Sequence, residues 1–223
     1  VERKIISTSD GSSTVSIPEM NVTYHSVHGA IQESLHVFID AGFKYVLPTK
    51  AKERINIFEM GLGTGLNALL TLIEADQLKQ PVYYTAIELF PLDKKEIREL
   101  NYCEQLCKPG YKKLFEKLHQ CEWDKDIIIT PFFTLHKTNN DLIDFSTTQS
   151  FTIIYYDAFA PVAQPELWTK EVFEKLYSIL SPGGILVTYC SKGDVRRAMQ
   201  TAGFSTEKIP GPPGKREMLR ARR

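Results

Sequence analysis

Cysteine is scarce in this chain, at four in 223 residues. Cys103, Cys107, Cys121 and Cys190 form no CxxC pair and stand in no Cys/His ligand spacing. That argues against a disulfide scaffold or a zinc ribbon and for free, reduced thiols in a cytoplasmic protein. No apolar run is long enough to span a bilayer, and the opening V-E-R-K-I-I-S-T-S-D-G-S-S lacks the apolar core of a secretory leader. Net charge is also absent, since 27 Lys and Arg balance 27 Asp and Glu, so no global field draws the chain to nucleic acid. The balance is uneven, however: Lys192–Arg223 carries nine basic residues against three acidic ones, which makes the C-terminal region basic. There are no internal repeats, low-complexity tracts or linkers. The expectation is one domain over residues 1–223, with residues 1–50 packed on it as an N-terminal extension, no membrane contact and no obligate protein partner.

What the sequence does have is centred on Ile55–Leu72, I-N-I-F-E-M-G-L-G-T-G-L-N-A-L-L-T-L. Ile55–Phe58 suits a buried strand, Glu59 stands at its end, and Gly61, Gly63 and Gly65 follow at every second position. Asn67 then opens a helix with apolar residues on most faces. Strand, glycine turn and helix make the first unit of a doubly wound α/β sheet, whose glycines admit a ligand close to the backbone and to free N–H groups at the helix start. A dinucleotide cradle prefers G-x-G-x-x-G, whereas here the third glycine comes one residue early. A carboxylate at Glu59 would repel a pyrophosphate and suit an ammonium group. The inferred ligand has an amine and a ribose but no phosphate, which S-adenosyl-L-methionine satisfies.

The remaining elements follow from pattern. Val1–Pro18 reads as an irregular or hairpin-like opening with turn residues at Asp10–Ser13. Tyr24–Ile39 reads as a helix ending near Gly42, a lid or docking segment over the glycine turn. His25, His28 and His36 share this stretch, but no acid or cysteine pattern accompanies them and no metal is expected. Pro81–Glu88 is a second strand ending in an acid, and Glu88 is placed to accept from ribose hydroxyls. A helix runs from an N-cap at Asp93 to Cys103, and Tyr111–Leu118 is a short helix. Asp126–Thr130 and Phe132–Lys137 are strands. Asn139 and Asp141, at the following turn, are candidates for bordering an adenine-sized pocket. Phe151–Tyr156 is a buried strand that stops at Asp157-Ala158-Phe159. Pro165–Leu180 is a helix, Ser181–Gly184 a turn, Ile185–Tyr189 a strand and Val195–Ala202 a helix. Phe204–Ile209 and Glu217–Ala221 form a hairpin. The expected fold is α/β, a mostly parallel seven-stranded sheet with a C-terminal antiparallel hairpin. Glu59, the glycine turn, Asn67, Glu88 and Asp157 should gather at the C-terminal ends of its strands.

Several stretches also resemble a known family. L-S-P-G-G at Leu180–Gly184, between a helix and a strand ahead of the hairpin, is similar to the class I S-adenosylmethionine-dependent methyltransferases. The finer resemblance is to the methyltransferase domain of MnmC-type tRNA wobble-uridine modification proteins. It rests on E-M-G-L-G-T-G-L-N at Glu59–Asn67, E-L-F-P-L at Glu88–Leu92, D-A-F-A-P-x-x-x-P-E-L-W at Asp157–Trp168, V-R-R-A-M-Q-T-A-G-F at Val195–Phe204 and G-K-R-E-M-L at Gly214–Leu219. The resemblance covers the chain from about Tyr24 onward. It implies methylation of the amine of 5-aminomethyl-uridine, often 2-thiolated, at the wobble position of a tRNA anticodon loop. Bifunctional members carry a second, FAD-dependent oxidase domain, which 223 residues do not accommodate, so no FAD is expected. The loop before K-R-E-M usually carries an aromatic residue; here it is Gly211-Pro212-Pro213-Gly214.

On this reading Asp157, also a cofactor contact, would accept hydrogen bonds from the reacting amine. Phe159 would stack on the uracil or face the sulfonium. Arg196, Arg197, Lys215, Arg216 and Arg220 would meet tRNA phosphates, with Lys215 and Arg216 favoured by the motif. Two alternatives stay open: a methyl- or aminopropyl-transferase acting on a small amine, and a non-catalytic RNA-binding protein on the same fold.

Overall fold

The strands form close to where the apolar runs predict them. The computed structural model describes residues 2–50 and 53–223; Val1, at the head of the opening segment, lies outside the described residues. The opening is a hairpin of β1 (Lys4–Ser7) and β2 (Ser13–Ile17), to which β3 (Val22–Thr23) adds a third antiparallel strand. Helix α1 (Ala30–Ser34) passes through a wide π-helical stretch, Leu35–Phe43, into α2 (Lys44–Lys50). Two expectations are corrected here. The helix starts at Ala30, because the Glu33 carboxylate takes the Ser26 N–H (2.7 Å) and Thr14 Oγ1 takes that of His25 (3.1 Å), holding those residues out of helical pairing. It also runs through Gly42 rather than ending there. A Cβ at Gly42 would stand 3.1 Å from the Tyr155 ring and 3.2 Å from Val187, so this glycine serves close approach of helix to sheet, not termination.

The central unit follows: β4 (Ile55–Met60), α3 (Leu66–Leu78), β5 (Val82–Ile87), α4 (Lys94–Glu99), α5 (Tyr102–Gln105), α6 (Lys112–Gln120), β6 (Asp126–Thr130), β7 (Phe133–Thr138), β8 (Phe151–Tyr156), α7 (Lys170–Ile179), β9 (Leu180–Thr188), α8 (Gly193–Thr201), β10 (Ser205–Pro210) and β11 (Glu217–Arg222). The sheet order is β10-β11-β9-β8-β4-β5-β7-β6. Strands β9, β8, β4, β5 and β7 pair in parallel, and β11 and β6 run against their neighbours. All eight strands read from the sequence are present, and the sheet has eight strands where seven were expected, because Asp126–Thr130 joins it as the edge strand β6. Only Pro131 and Phe132 join β6 to β7, and so short a link permits only an antiparallel partner. The order reverses between β4 and β8, the switch point where such sheets bind ligands.

Three further differences have local causes. The Asp93–Cys103 helix breaks at Leu100-Asn101, because the Asn101 side chain accepts from Ser13 N (2.8 Å) and donates to Gly11 O (2.9 Å), fastening the opening hairpin. Its start is as expected, with Asp93 and Glu96 in a capping box. The Pro165–Leu180 helix splits into a 3-10 turn, Pro165–Trp168, and α7, capped anew by Thr169. Ser181–Gly184 is a bulge inside β9 that pairs with the backbone of Arg223. Two apolar clusters cover the sheet. One lies beneath α3 and the Leu35–Phe43 stretch, the other beneath α7 and α8.

Candidate active site

Gly61, Gly63 and Gly65 all adopt positive φ, at 84°, 50° and 72°, so the turn after β4 relies on the left-handed region. Two backbone donors, Gly61 N and Leu62 N, are spent on Ile87 O at 3.1 Å each. Gly65 is the tightest point, where a Cβ would lie 2.7 Å from His119 Nε2; at Gly63 the N–H donates to Glu88 Oε2 (2.8 Å), and a Cβ would lie 3.1 Å from Tyr24 Cδ1. From behind, His119 Nε2 bonds to Thr64 O at 3.1 Å. Burial pulls the His119 pKa down to about 4, so this prop is a neutral imidazole.

Glu88, half-buried at the end of β5, turns its other oxygen to Phe90 N (2.8 Å). It thereby ties the glycine turn to the next loop and keeps free lone pairs toward the crevice. Asn139 spends its amide on Glu88 O (2.8 Å) and Leu89 O (3.3 Å). Asn139 thus braces the end of β5, and Asn140, not singled out from the sequence, lines the crevice beside Asp141. Asp141 caps its own turn through Ile143 N (2.8 Å).

Asp157 follows β8 and faces the crevice. Its Oδ2 accepts from Asn67 Nδ2 at 2.8 Å. Burial, with help from the nearby Glu33 charge, pushes its pKa up to about 7, against the pull of the Asn67 hydrogen bond and Lys215. The loop it starts is pinned twice. Tyr189 Oη donates to Ala158 O (2.8 Å) and Trp168 Nε1 to Phe159 O (2.8 Å). Phe159 meets Tyr24 edge to face, with ring centroids 5.2 Å apart. Tyr24 thus closes the crevice against both the glycine turn and Phe159. Arg3, anchored on Phe90 O (2.6 Å), Pro91 O (3.1 Å) and Glu96, joins it at the mouth. Neither residue stood out in the sequence, since Tyr24 lay in an expected helix and Arg3 in an irregular opening. The resulting crevice has a volume of about 600 Å³, within the range of small-molecule sites. Its floor includes Met60, Ile87 and Leu142.

Glu59 departs from its expected place. It is 1% exposed, inside β4 rather than at its end, and does not line the crevice. Neither carboxylate oxygen has a hydrogen-bond partner. Burial holds its pKa well above the carboxylate range; the Asn67 amide and Tyr84 hydroxyl offset part of the shift, while the Asp157 and Glu88 charges add to it.

The basic residues divide. Arg197 and Arg216 are exposed and Arg196 half-buried. Lys215 turns inward instead, its ammonium 2.7 Å from Glu33 and 3.8 Å from the centre of the Tyr189 ring. Arg220 pairs with Glu207 (2.6 Å) and stacks over Tyr45 (3.5 Å). His25 is buried against Thr14 Oγ1 (3.1 Å), and His36 bonds to Pro210 O (2.8 Å). Among the described residues no group of three or more His, Cys, Asp or Glu is arranged to hold a metal, and no helix is long and apolar enough to cross a membrane.

This geometry agrees with comparison to known proteins. A profile described as S-adenosyl-L-methionine-dependent methyltransferase matches residues 102–223. The chain belongs to this methyltransferase family. The match begins downstream of the glycine turn and takes in the side of the crevice formed by Asp141 and Asp157. The methyltransferase is 27% identical over 213 residues to the tRNA 5-methylaminomethyl-2-thiouridine biosynthesis bifunctional protein MnmC of Paraburkholderia xenovorans, covering 88% of this chain and 31% of that protein. It is 28% identical over 224 residues to the protein of the same name from Burkholderia multivorans, covering 92% and 33%. The chain thus spans about a third of the length of these curated relatives. Its fold matches the crystal structure of MNMC2 from Aquifex aeolicus with a TM-score of 0.80 at 23% identity, covering 99% of this chain and 69% of that one.

Proposed function

We propose that the methyltransferase transfers a methyl group to the primary amine of 5-aminomethyl-uridine, with or without 2-thiolation, at the wobble position of tRNA, giving the 5-methylaminomethyl base. The carrying observation is the half-buried Asp157 carboxyl, held by Asn67, facing the glycine turn across a crevice whose mouth bears the Tyr24–Phe159 pair. The names of the MnmC relatives supply the substrate class.

The residues present fit S-adenosyl-L-methionine. Gly61 and Gly63 leave the turn without side chains, Glu88 keeps lone pairs for a ribose diol, and Asn140, Asp141 and Leu142 border a slot beside it. When bound, this cofactor supplies an electrophilic methyl group on a sulfonium. The protein's task is alignment and proton handling. Asp157 accepts a hydrogen bond from the substrate nitrogen, fixes its direction and takes the proton it must lose. A carboxyl near neutrality suits that role at physiological pH. Phe159 and Tyr24 offer an aromatic wall to a uracil ring splayed from a single-stranded loop. Arg196, Arg197 and Arg216 are the cations left to meet phosphate. The transfer is redox-neutral and calls for no flavin. On this reading residues 1–223 act as one methyltransferase domain with the N-terminal residues as its cover, and a tRNA substrate fits a cytoplasmic setting.

The test is labelled-methyl transfer to bulk tRNA from cells lacking this modification, followed by nucleoside mass analysis. The expected product is 5-methylaminomethyl-uridine. Cofactor binding with no methylated nucleoside would refute the substrate and direct attention to free amines.

A further inference from the structure

Three side chains where α3 meets the sheet keep polar atoms with no partner: both oxygens of Glu59, Oδ1 of Asn67 and the Tyr84 hydroxyl. Glu59 and Asn67 are 1% and 3% exposed, and Tyr84 is 0% exposed. Burying so many unpaired polar atoms together costs heavily. They are also mutual neighbours, since the Asn67 amide and the Tyr84 hydroxyl are the hydrogen-bonding groups that act on Glu59. Glu59 pairs in register with Tyr155 of β8. Asp157 therefore lies two residues further out on the same face of the sheet, one pleat repeat above Glu59. Asn67 stands between them, its Nδ2 already given to Asp157 Oδ2 at 2.8 Å.

We infer that Glu59 is a neutral, proton-bearing positioning residue that orients Asn67 toward Asp157, and is not a ligand of the cofactor ammonium. One proton on Glu59 satisfies all the orphans. Its O–H donates to Asn67 Oδ1, which leaves Asn67 Nδ2 aimed at Asp157, and its carbonyl oxygen accepts from Tyr84 Oη. An ionised Glu59 could accept from Tyr84 but would leave Asn67 Oδ1 facing a negative oxygen. Of the titratable groups around it, the acids Asp157 and Glu88 favour the proton and the Tyr84 hydroxyl of β5 opposes it, Tyr155 of β8 lies beside it, and no cation is among the groups that shift it. The raised pKa of Glu59 agrees with this placement, which rests on the burial, the register and the unpaired atoms.

The consequence for Asp157 rests on the catalytic role proposed above, but the state of Glu59 does not, and the test separates them. Protein carrying 13C-labelled glutamate is compared with its Glu59→Gln variant by infrared difference spectroscopy at pH 7.5. A protonated-carboxyl band lost in the variant is expected; an ionised-carboxylate band overturns the inference. Calorimetry supplies the second arm. Glu59→Gln keeps an N–H donor and a carbonyl, so S-adenosyl-L-methionine affinity stays within about twofold, whereas loss of a charged ligand would weaken it about tenfold or more. In Glu59→Leu the Asp157 pKa, read by carbon NMR, rises, and Gln restores it; an unchanged value in Leu overturns the positioning role. Glu59→Leu need not fold for the first two arms to decide. If wild type methylates no tRNA, the proposed function fails while these readouts still judge Glu59.

Discussion

Glu59 and Asp157 are both acids belonging to neighbouring parallel strands, one inside its strand and one just past the end, and the structure gives them opposite surroundings. Asp157 stands past the end of β8, reaches the crevice and holds a hydrogen bond from Asn67. Glu59 lies one strand repeat deeper, sealed by α3, with no partner for either oxygen. Two residues of strand length separate a group that can meet substrate from one that cannot. The comparison teaches that depth along a strand, not residue type, assigns the role of an acid at a switch point.

The largest expected effect falls on the outer acid. Asp157→Ala should lower turnover by about 10²-fold or more while S-adenosyl-L-methionine affinity stays within about threefold, a split that single-turnover kinetics and calorimetry resolve. Wild-type turnover in this variant would remove Asp157 from the chemistry and erase the contrast with Glu59.

Next is the turn both acids flank. Gly63→Ala places a Cβ against Tyr24 at a φ of 50°, a conformation that costs an L-residue about 1–2 kcal/mol. Cofactor affinity should fall about tenfold, with a lower melting temperature; unchanged affinity would show that Tyr24 and the turn yield freely.

Stability against pH sharpens the comparison further. Both carboxyls have folded pKa values above their ordinary ones, Asp157 at about 7. Each keeps its proton in the fold after the unfolded chain has released it. Their contribution is therefore full below the ordinary carboxylate range and is lost as pH rises, for Asp157 through about 7. Asp157 should therefore pull the melting temperature down between pH 5 and pH 8, against the opposite pull of the depressed His25 and His119 below about 6.5, and the difference between wild type and Asp157→Asn should fall over that range. A variant as pH-sensitive as wild type would contradict the burial of Asp157.

The smallest effects belong to the basic face. Arg216→Ala or Arg197→Ala should each reduce the salt dependence of tRNA binding by about one unit of slope with cofactor affinity unchanged. No change in slope would place the RNA elsewhere.

Much of this was legible from sequence because it depends on short-range pattern. Strand runs, the glycine turn and the acids at strand ends are set within a few residues, and Asp126–Thr130 and Phe151–Tyr156 carry the predicted boundaries. Properties fixed by distant partners were not legible. Gly42 resembles a helix stop until Tyr155 and Val187 are seen against it. Asn101 looks helical until the opening hairpin takes its side chain. Lys215 falls in a basic motif, yet Glu33 and Tyr189, far off in sequence, turn it inward. Glu59 carries no local sign that α3 seals it.

The central claim is that Asp157 takes the amine proton while methyl is transferred to the wobble base. The most direct test is the pH dependence of single-turnover methyl transfer to tRNA bearing 5-aminomethyl-uridine, for wild type and Asp157→Asn. The account predicts a wild-type rate that climbs with pH as Asp157 ionises, near 7, and a variant rate about 10²-fold lower or less that lacks this inflection. A variant with the wild-type rate and profile would contradict it.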